Sequence, residues 1–289
     1  MSAAPVTALY VPGDRPDRFG KAVATGVDVV ILDLEDAVAG PAKAAARDNV
    51  MAWLEATAPD APAFDAPAAD APAAPDAATR PIVQVRVNDG DDADLAALAA
   101  LGAAARAGVE LRLPKVESTP QLDRVHHLLP GMPVTALIET ALGVERAAQI
   151  AVHPAVTRLG LGESDLASDL GTRAPEVLDH VRIRLLLAAR SAGLPAPMLS
   201  AYPAIGDLDG LRLDTERGRR LGWFGRAAIH PSQLAVIAEV FRPQADELLW
   251  AREVIAAVSG GGVARLGNGD MVDQAMAGRA RAILERAEH

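Results

Sequence analysis

Eight short apolar runs occur along this chain, and each of them ends in a polar cluster. In chain order the clusters are PGDR, LDLED, RVND, PKVES, IET, GESD, YP and IHPSQ. In a (β/α)8 barrel the strands are parallel, and the reacting groups come from the C-terminal ends of different strands. Polar residues that recur where strand-like runs stop therefore predict a barrel with one catalytic mouth.

Strand-like and helical patterns alternate along most of the sequence, and Gly or Pro marks most of their ends. The predicted strands are Val6–Val11, Val27–Leu34, Ile82–Val87, Val109–Leu113, Val134–Ile138, Thr157–Leu161, Pro197–Ala201 and Arg226–Ile229. This order predicts an α/β protein, with a TIM (β/α)8 barrel as the catalytic domain over residues 1–240. Two further helical patterns in residues 241–289 predict a C-terminal helical extension.

One stretch between the second helix and the third strand departs from this alternation. Residues 56–81 are mostly Ala, Pro and Asp, with almost nothing to bury. We expect a flexible insertion at the end of the barrel away from the mouth, without a catalytic role. A docking segment is the alternative.

The composition excludes several classes of function. The chain has no Cys, which excludes disulfides, thiolate zinc sites and cysteine nucleophiles and fits a reducing cytoplasm. A net charge of −10 argues against nucleic-acid binding. No run approaches the ~20 apolar residues that cross a bilayer, and the N-terminus lacks a signal-peptide pattern. We therefore expect a cytoplasmic protein that binds neither nucleic acid nor membrane.

Two acidic residues each close a strand-like segment just before a helix. Glu139 ends VTALIE and Asp165 ends LGLGESD. Mg²⁺ prefers oxygen ligands and takes few of them from the protein, so these two residues are the predicted metal ligands. Helix capping is the alternative for each. Glu35 and Asp36, in DLEDAV, either hold the waters around the metal or form an ordinary acidic helix start.

Arg86 lies in the segment IVQVRVND, where polar and apolar residues alternate. The alternation places Gln84, Arg86 and Asn88 on one face, toward the barrel axis. A planar, permanently charged guanidinium there suits a carboxylate or a developing enolate oxygen. A core ion pair with Glu35 or Glu139 is a second interpretation, and the two are compatible.

Basic residues with a predicted role are few. The chain has three lysines, Lys21, Lys43 and Lys115. Only Lys115, after ELRLP, follows a strand that could present a Schiff-base amine, which makes a metal-free aldolase a rival hypothesis. At the N-terminus, Arg15, Arg18 and Lys21 lie in a turn that opens the first helix and could hold phosphates, although isolated basic residues are often only solvated.

Eight ordered segments resemble the CitE-like branch (citrate lyase beta subunit-like) of the HpcH/HpaI aldolase and citrate lyase family. They are LYVPGDRPDRFGKA, VVILDLEDAV, VRVND, LPKVES, ALIETALGV, LGLGESDLASDLG, AIHPSQ and MVD. The resemblance covers nearly the whole chain except the Ala/Pro-rich insertion. It implies a TIM barrel, usually a homotrimer, that uses Mg²⁺ to cleave or form a carbon–carbon bond in a 3-hydroxyacyl-CoA thioester.

The resemblance also implies roles for individual residues. Glu139 and Asp165 match the metal ligands, and Arg86 matches the group on the carbonyl oxygen. Arg15 and Lys21 match positions that contact the CoA phosphates in malyl-CoA lyases.

A further acid, Asp273 in MVD, resembles one that some members insert into a neighbouring subunit's site. By itself it is typical of an N-cap of the terminal helix. The implied reaction is a retro-Claisen cleavage, in which the 3-hydroxyl loses its proton, the C2–C3 bond breaks and a thioester enolate leaves. The general base stays open between a metal-bound hydroxide, Asp36 and Asp273.

Several alternatives stay open within and beyond this family. The motifs do not separate citryl, malyl, methylmalyl and hydroxymethylglutaryl groups, nor a CoA ester from an acyl-carrier partner. Citryl-CoA and malyl-CoA are the first choices. A malate-synthase-like condensation followed by hydrolysis, a thioesterase, and a non-catalytic subunit that retains the barrel are the other hypotheses.

Overall fold

The structure, a computed structural model, describes residues 4–58, 80–258, 264–266 and 269–287. The predicted insertion at 56–81 lies almost wholly outside the described residues. The strands are β1 Thr7–Pro12, β2 Val29–Asp33, β3 Ile82–Arg86, β4 Val109–Leu113, β5 Val134–Ile138, β6 Val156–Leu161, β7 Arg226–Ala228, β8 Ala264–Arg265 and β9 Met271–Val272. The helices are α1 Phe19–Val23, α2 Lys43–Ala56, α3 Asp92–Ala100, α4 Ala103–Arg106, α5 Thr119–Leu128, α6 Ala141–Ala151, α7 Glu163–Leu170, α8 Pro175–Ser191, α9 Leu208–Arg220, α10 Leu234–Phe241, α11 Ala245–Val258 and α12 Gln274–Ala287.

Seven parallel strands form one sheet in the order β6-β5-β4-β3-β2-β1-β7. Where a further strand was predicted, at Pro197–Ala201, Met198 bridges to Gly160 of β6 and Leu199 bridges to Arg226 of β7. These two residues join the edges of the sheet, so the prediction of a TIM barrel is confirmed. Proline at 197, the first residue of the predicted strand, has no N–H to donate to a neighbouring strand, and the bridges begin at Met198.

Side chains alternate between the two faces of the sheet, as the pleat requires. In β2, Val30 and Leu32 pack outward against the helices, while Val29 and Ile31 join a small apolar cluster on the inner face. Asp33, at the C-terminal end of the same strand, also points inward, where it pairs with an arginine of β3. Along β2 the inner face is therefore apolar toward the start of the strand and acidic at the mouth.

The helices differ from prediction at one place and agree at the C-terminus. A continuous helical pattern over 94–108 is broken into α3 and α4 at Gly102, a residue with low helix propensity. The predicted C-terminal helices are present as α11 and α12. They pack against each other and form an apolar cluster separate from that of the barrel. Within the described ranges, no helix combines the length and apolar character needed to cross a membrane.

Candidate active site

Acidic side chains converge at the mouth because they follow neighbouring strands of a parallel barrel. Glu35 follows β2, Glu139 follows β5, and Asp165 lies in the first turn of α7, after β6. Glu139 is not the cap of α6, because Thr140 occupies that position and accepts a hydrogen bond from the Gly143 amide at 3.1 Å. The Glu139 side chain is thus available to the site.

Arg86, at the end of β3, is held by carboxylates. Its Nε and Nη2 donate to the two oxygens of Asp33 at 2.7 and 2.6 Å, in the bidentate arrangement that orients a guanidinium strongly. Its Nη1 donates to Asp36 at 3.0 Å and forms an ion pair with Glu35 at 2.9 Å. The ring of Tyr10 lies below, 5.0 Å from the guanidinium carbon to the ring centroid. Burial opposes the charge, but these acids outweigh it and raise the pKa of Arg86.

Asp33, the main partner of Arg86, has no role in the sequence prediction. It ends the apolar run VVILD, and the alternation that places Ile31 inward places Asp33 inward as well. Asp33 is also the cross-strand neighbour of Arg86. The signal for this ion pair was therefore present in the period-two pattern of β2. Of the two acids predicted to pair with Arg86, the structure places Glu35 in contact.

Lys115 reaches the same site from the loop after β4. Its φ of 47° lies in the left-handed region. Among the described residues, every other residue with a positive φ is a glycine. Lys115 Nζ donates to Glu35 Oε1 at 3.2 Å. Burial would lower the pKa of Lys115, but this hydrogen bond and the charges of Glu35, Asp165 and Asp36 raise it. A Schiff-base lysine needs a lowered pKa, so the environment of Lys115 argues against that rival.

The surroundings of Glu139 disfavour a negative charge on its carboxyl group. Glu139 is only 2% exposed, and its Oε2 has no hydrogen-bond partner among the described residues. Burial, and then the charges of Glu35 and Asp165, raise the pKa of Glu139 to about 7. Burial likewise raises the pKa of Glu35. A buried oxygen without a partner calls for an explanation, and nearby negative charges make a bound cation the simplest one.

The charges at the mouth are unbalanced. Two cations, Arg86 and Lys115, pair with acidic side chains here, and the Lys43 ammonium nearby contacts main-chain carbonyls. Five carboxylates lie at the mouth, those of Asp33, Glu35, Asp36, Glu139 and Asp165. The described residues contain no group of three or more His, Asp or Glu side chains arranged to hold a metal. A metal here would thus take one or two carboxylates from the protein, which fits the sparse oxygen coordination of Mg²⁺ and not that of a structural zinc site.

A buried arginine fixes the β6–α7 turn that carries Asp165. Arg182, 2% exposed, donates from Nε to Glu163 at 2.7 Å. Ser200 donates to the Leu161 carbonyl at 2.6 Å and accepts from the Glu163 amide at 3.2 Å. These contacts cross from α8 and from the loop after α8, and no local pattern in the sequence predicts them.

Lys43 performs a similar role for the loop after β2. Its Nζ donates to the carbonyls of Leu34 and Glu35 at 3.0 and 2.9 Å, and it also contacts Asn88 Oδ1. Because Asn88 follows β3, one ammonium group ties together the loops that carry Glu35 and Arg86. Asn88 was predicted to face the barrel axis, but its side chain contacts Lys43 of α2 and donates to Asp94 of α3 at 2.8 Å.

The predicted phosphate-binding cations lie in the β1–α1 loop, at the same end of the barrel. Arg15 donates to both oxygens of Asp17, at 3.0 and 3.1 Å, and Lys21 lies on α1. The hydrogen bond from Arg15 and the charges of Arg15, Lys21 and Arg18 lower the pKa of Asp17. Arg15, Arg18 and Lys21 are exposed, so an anionic ligand can reach them.

Asp273 belongs to the C-terminal extension. It is exposed and lies between β9 and α12, directly before the first residue of that helix. The other predicted acids and Arg86 meet at the mouth of the barrel, whereas Asp273 is carried by the helical pair α11 and α12.

One cavity of the described residues lies at the opposite end of the barrel, at the start of β4. Its lining includes Ile82, Gly108, Glu110, Pro130 and Pro133. No acid of the mouth lines it. Because reacting groups in this fold come from the C-terminal strand ends, the mouth is the candidate site and this cavity is not.

Comparison with known proteins agrees with this architecture. The sequence model of the HpcH/HpaI aldolase/citrate lyase family matches residues 7–231. A (3S)-malyl-CoA thioesterase of Cereibacter sphaeroides is 37% identical over 98% of this chain and 94% of the relative. A citrate lyase subunit beta-like protein of Mycobacterium tuberculosis is 36% identical over 96% of this chain and 94% of the relative.

A solved structure is similar to this protein over the whole chain. Protein CitE from Mycobacterium tuberculosis, in complex with magnesium, acetoacetate and coenzyme A, is 34% identical and superposes with a TM-score of 0.75, covering 100% of this chain and 99% of the other. The match spans the barrel and the extension together. This protein belongs to the HpcH/HpaI aldolase/citrate lyase family.

Proposed function

We propose that this protein is a Mg²⁺-dependent carbon–carbon lyase. It would cleave, or form, a 3-hydroxyacyl-CoA thioester such as malyl-CoA or citryl-CoA, with acetyl-CoA and a 2-oxo acid as the other partners. The observation that carries the proposal is a buried Glu139 oxygen that has no hydrogen-bond partner among the described residues, in a site with more carboxylates than cations. The complex of CitE with magnesium, acetoacetate and coenzyme A supports the same assignment.

The residues that would hold Mg²⁺ are Glu139 and Asp165, with Glu35 and Asp36 beside its waters. When bound, the ion supplies Lewis-acid stabilisation of the oxygen that becomes a carbonyl and fixes the orientation of the oxo acid. The charge repulsion that raises the pKa of Glu139 would be relieved by a divalent cation. The role of Glu139 and Asp165 would thus be to bind the metal ion.

Arg86 would stabilise the negative charge that develops on the thioester enolate oxygen. Asp33 fixes two of its nitrogens, so the group that faces the mouth is Nη1, which already contacts Glu35 and Asp36. A preorganised donor of this kind is typically worth about 10²–10³ in rate. Because the guanidinium is held before substrate arrives, little reorganisation accompanies the reaction.

Two further cationic regions would bind the anionic parts of the substrate. Lys115, held protonated next to Glu35, adds positive charge at the mouth. Arg15 and Lys21 lie exposed on the β1–α1 loop at the same end of the barrel, where they would contact the CoA phosphates. The acyl group would then enter the mouth while the nucleotide remains at its rim.

Thioester hydrolysis is the second candidate, favoured by the similarity to a (3S)-malyl-CoA thioesterase. Hydrolysis needs an acid or base near the thioester in addition to the metal site. The exposed position of Asp273 on the extension suits a residue that a homotrimer would bring to a neighbouring subunit's mouth. The lyase and hydrolase reactions could share one site, with Asp273 needed for the second alone.

The test is a panel of hydroxyacyl-CoA esters, comprising malyl, methylmalyl, citryl and hydroxymethylglutaryl, assayed with Mg²⁺ and with EDTA. Lysis releases an acyl-CoA and an oxo acid, whereas hydrolysis releases free CoA and the intact hydroxy acid. We expect Mg²⁺-dependent lysis of at least one ester. Release of free CoA without any oxo acid would assign the thioesterase, and no Mg²⁺-dependent turnover of any ester would overturn both.

A further inference from the structure

Two arginines lie inside the barrel, below the mouth, on strands that are separated by β5. Arg112 of β4 is the cross-strand neighbour of Thr135 of β5, which in turn neighbours Arg158 of β6. Arg112 is 3% exposed. Its Nη2 reaches the inner face of β6, where a side chain added at Gly160 would come within 3.5 Å of it. The two guanidinium groups therefore share one region of the interior.

Neither arginine forms an ion pair with a carboxylate. Within the described part of the chain, no carboxylate lies within 4.0 Å of a nitrogen of Arg112 or Arg158. Glu110 lines the same cavity as the two arginines, and its Oε2 accepts from Gln84 Nε2 at 2.8 Å. One carboxylate thus stands against two guanidinium groups, and buried charges are normally paired.

The polar atoms of Arg112 are also incompletely satisfied. Its Nη1 donates to Gln84 Oε1 at 2.8 Å, and its guanidinium carbon lies 5.4 Å from the centroid of the Tyr10 ring. Its buried Nε has no hydrogen-bond partner among the described residues. Burial and the charge of Arg112 lower the pKa of Arg158, although Glu110 opposes this. A negatively charged acceptor would give Arg112 Nε a hydrogen-bond partner and would offset the positive charge of the two guanidinium groups.

A cavity is present at this position. Its lining includes Gln84, Glu110, Arg112 and Arg158, with Met198 and other apolar side chains completing the wall. Its volume is about that of one water molecule, so a phosphate or a carboxylate ligand does not fit and a monatomic anion is the charged ligand that comes nearest to its size. The site would therefore select by size as well as by charge.

We propose that a small monovalent anion, chloride in the first instance, binds between Arg112 and Arg158 in the interior of the barrel. The anion would accept hydrogen bonds from the guanidinium groups and offset their repulsion. Through Arg112 it would also support the ring of Tyr10, whose other neighbour is Arg86. This site is separate from the carboxylates of the mouth and requires no substrate, so it stands or falls independently of the proposed function.

The test is thermal unfolding without metal or substrate, in sodium chloride, sodium bromide and sodium gluconate at one constant ionic strength. A ligand that binds only the folded state raises Tm in a saturable way. We expect chloride and bromide, but not gluconate, to raise Tm by about 2 to 4 °C at saturation. The Arg158→Gln variant should lose this anion dependence, whereas Arg220→Gln, which removes the same charge from an exposed position, should retain it.

A second measurement covers the case in which Arg158→Gln fails to fold. Crystals of the wild-type protein grown in sodium bromide should show an anomalous bromide peak between the two guanidinium groups. Equal Tm in chloride and gluconate, or a wild-type crystal with only water at that position, would overturn the proposal. The same chloride dependence in wild type and in Arg158→Gln would overturn it as well.

Discussion

The α-carbon of Gly162 packs directly against the side chain of Glu139. A methyl group at position 162 would lie 2.5 Å from both Cγ and Oε1 of Glu139, closer than real contacts allow. The Gly162 amide also donates to the carbonyl of Ile138 at 3.1 Å, so the backbone cannot move aside without losing that bond. The position of the Glu139 carboxylate therefore depends on a missing side chain on the next strand's loop.

Gly162→Ala should displace the Glu139 carboxylate and weaken Mg²⁺ binding by about 10-fold or more, the size of effect typical when the support of a metal ligand is lost. Isothermal titration with Mg²⁺ measures this. Gly102→Ala is the matched control, because an added methyl group there meets no atom within 4 Å. Unchanged Mg²⁺ affinity in Gly162→Ala would show that Glu139 is not a ligand or that it relaxes freely.

Glu139→Gln and Asp165→Asn should each reduce Mg²⁺-dependent turnover by more than about 100-fold while the far-UV circular dichroism stays native. A site with two protein ligands has little left to hold the ion once one of them is gone. Glu176→Gln, on an exposed residue of α8, is the control and should retain activity. Full turnover in either site variant would refute the ligand assignment.

The stability of the metal-free protein should fall as the pH rises between about 4.5 and about 7. The folded-state pKa of Glu139 is raised from 4.5 to about 7, so its neutral form stabilises the fold at low pH, and this contribution is lost as the carboxyl ionises. The gap between the two values corresponds to roughly 3 kcal/mol. Urea denaturation in EDTA should give similar stabilities for wild type and Glu139→Gln at pH 4.5.

At pH 8 the same comparison should show Glu139→Gln to be the more stable protein, because the variant keeps a neutral side chain in the buried position. A difference between the two proteins that does not change with pH would contradict the raised pKa.

Borohydride should not trap a covalent adduct at Lys115. The hydrogen bond and charge of Glu35 keep the ammonium protonated, and a protonated amine does not attack a carbonyl. Intact-mass measurement after borohydride treatment with substrate should show no added mass, and EDTA should abolish turnover. An adduct that disappears in Lys115→Arg, together with activity in EDTA, would restore the Schiff-base mechanism.

Asp273→Ala should spare lysis but stop thioester hydrolysis, if the protein catalyses both. The residue lies on the exposed extension and not among the acids that follow the barrel strands, so the metal site should survive its removal. Separate assays for oxo acid and for free CoA distinguish the two reactions. An equal loss of both would place Asp273 in a step common to them.

Much of the fold was predictable because parallel strands that are buried on both faces have nearly continuous apolar sequences. The strands Val109–Leu113 and Val134–Ile138 begin and end where the sequence predicts. The run at Pro197–Ala201 looks equally strand-like, but only Met198 and Leu199 form bridges, and Pro197 at its start has no N–H to donate.

The residues of the candidate site were predictable where topology alone brings them together. Glu139 and Asp165 follow strands whose ends meet at the mouth. Asp33 was not predicted as a site residue because it is embedded in an apolar strand. Its role follows from its ion pair with Arg86, which only the structure shows. Lys43 contacts a residue 45 positions away, and such long-range packing leaves no periodic trace in a single sequence.

The two bridging residues of the barrel have a consequence for how the protein opens. A closed barrel has no free edge strand, which protects it from pairing with other chains. Here closure depends on Met198 and Leu199, each bonded to a different neighbour. The barrel is therefore held less extensively between β6 and β7 than elsewhere. The amide protons of Met198 and Leu199 should exchange with solvent sooner than those of β2 and β3. Loss of these two bridges would leave β6 and β7 with unpaired edges, which are the kind of edge that can pair with another chain.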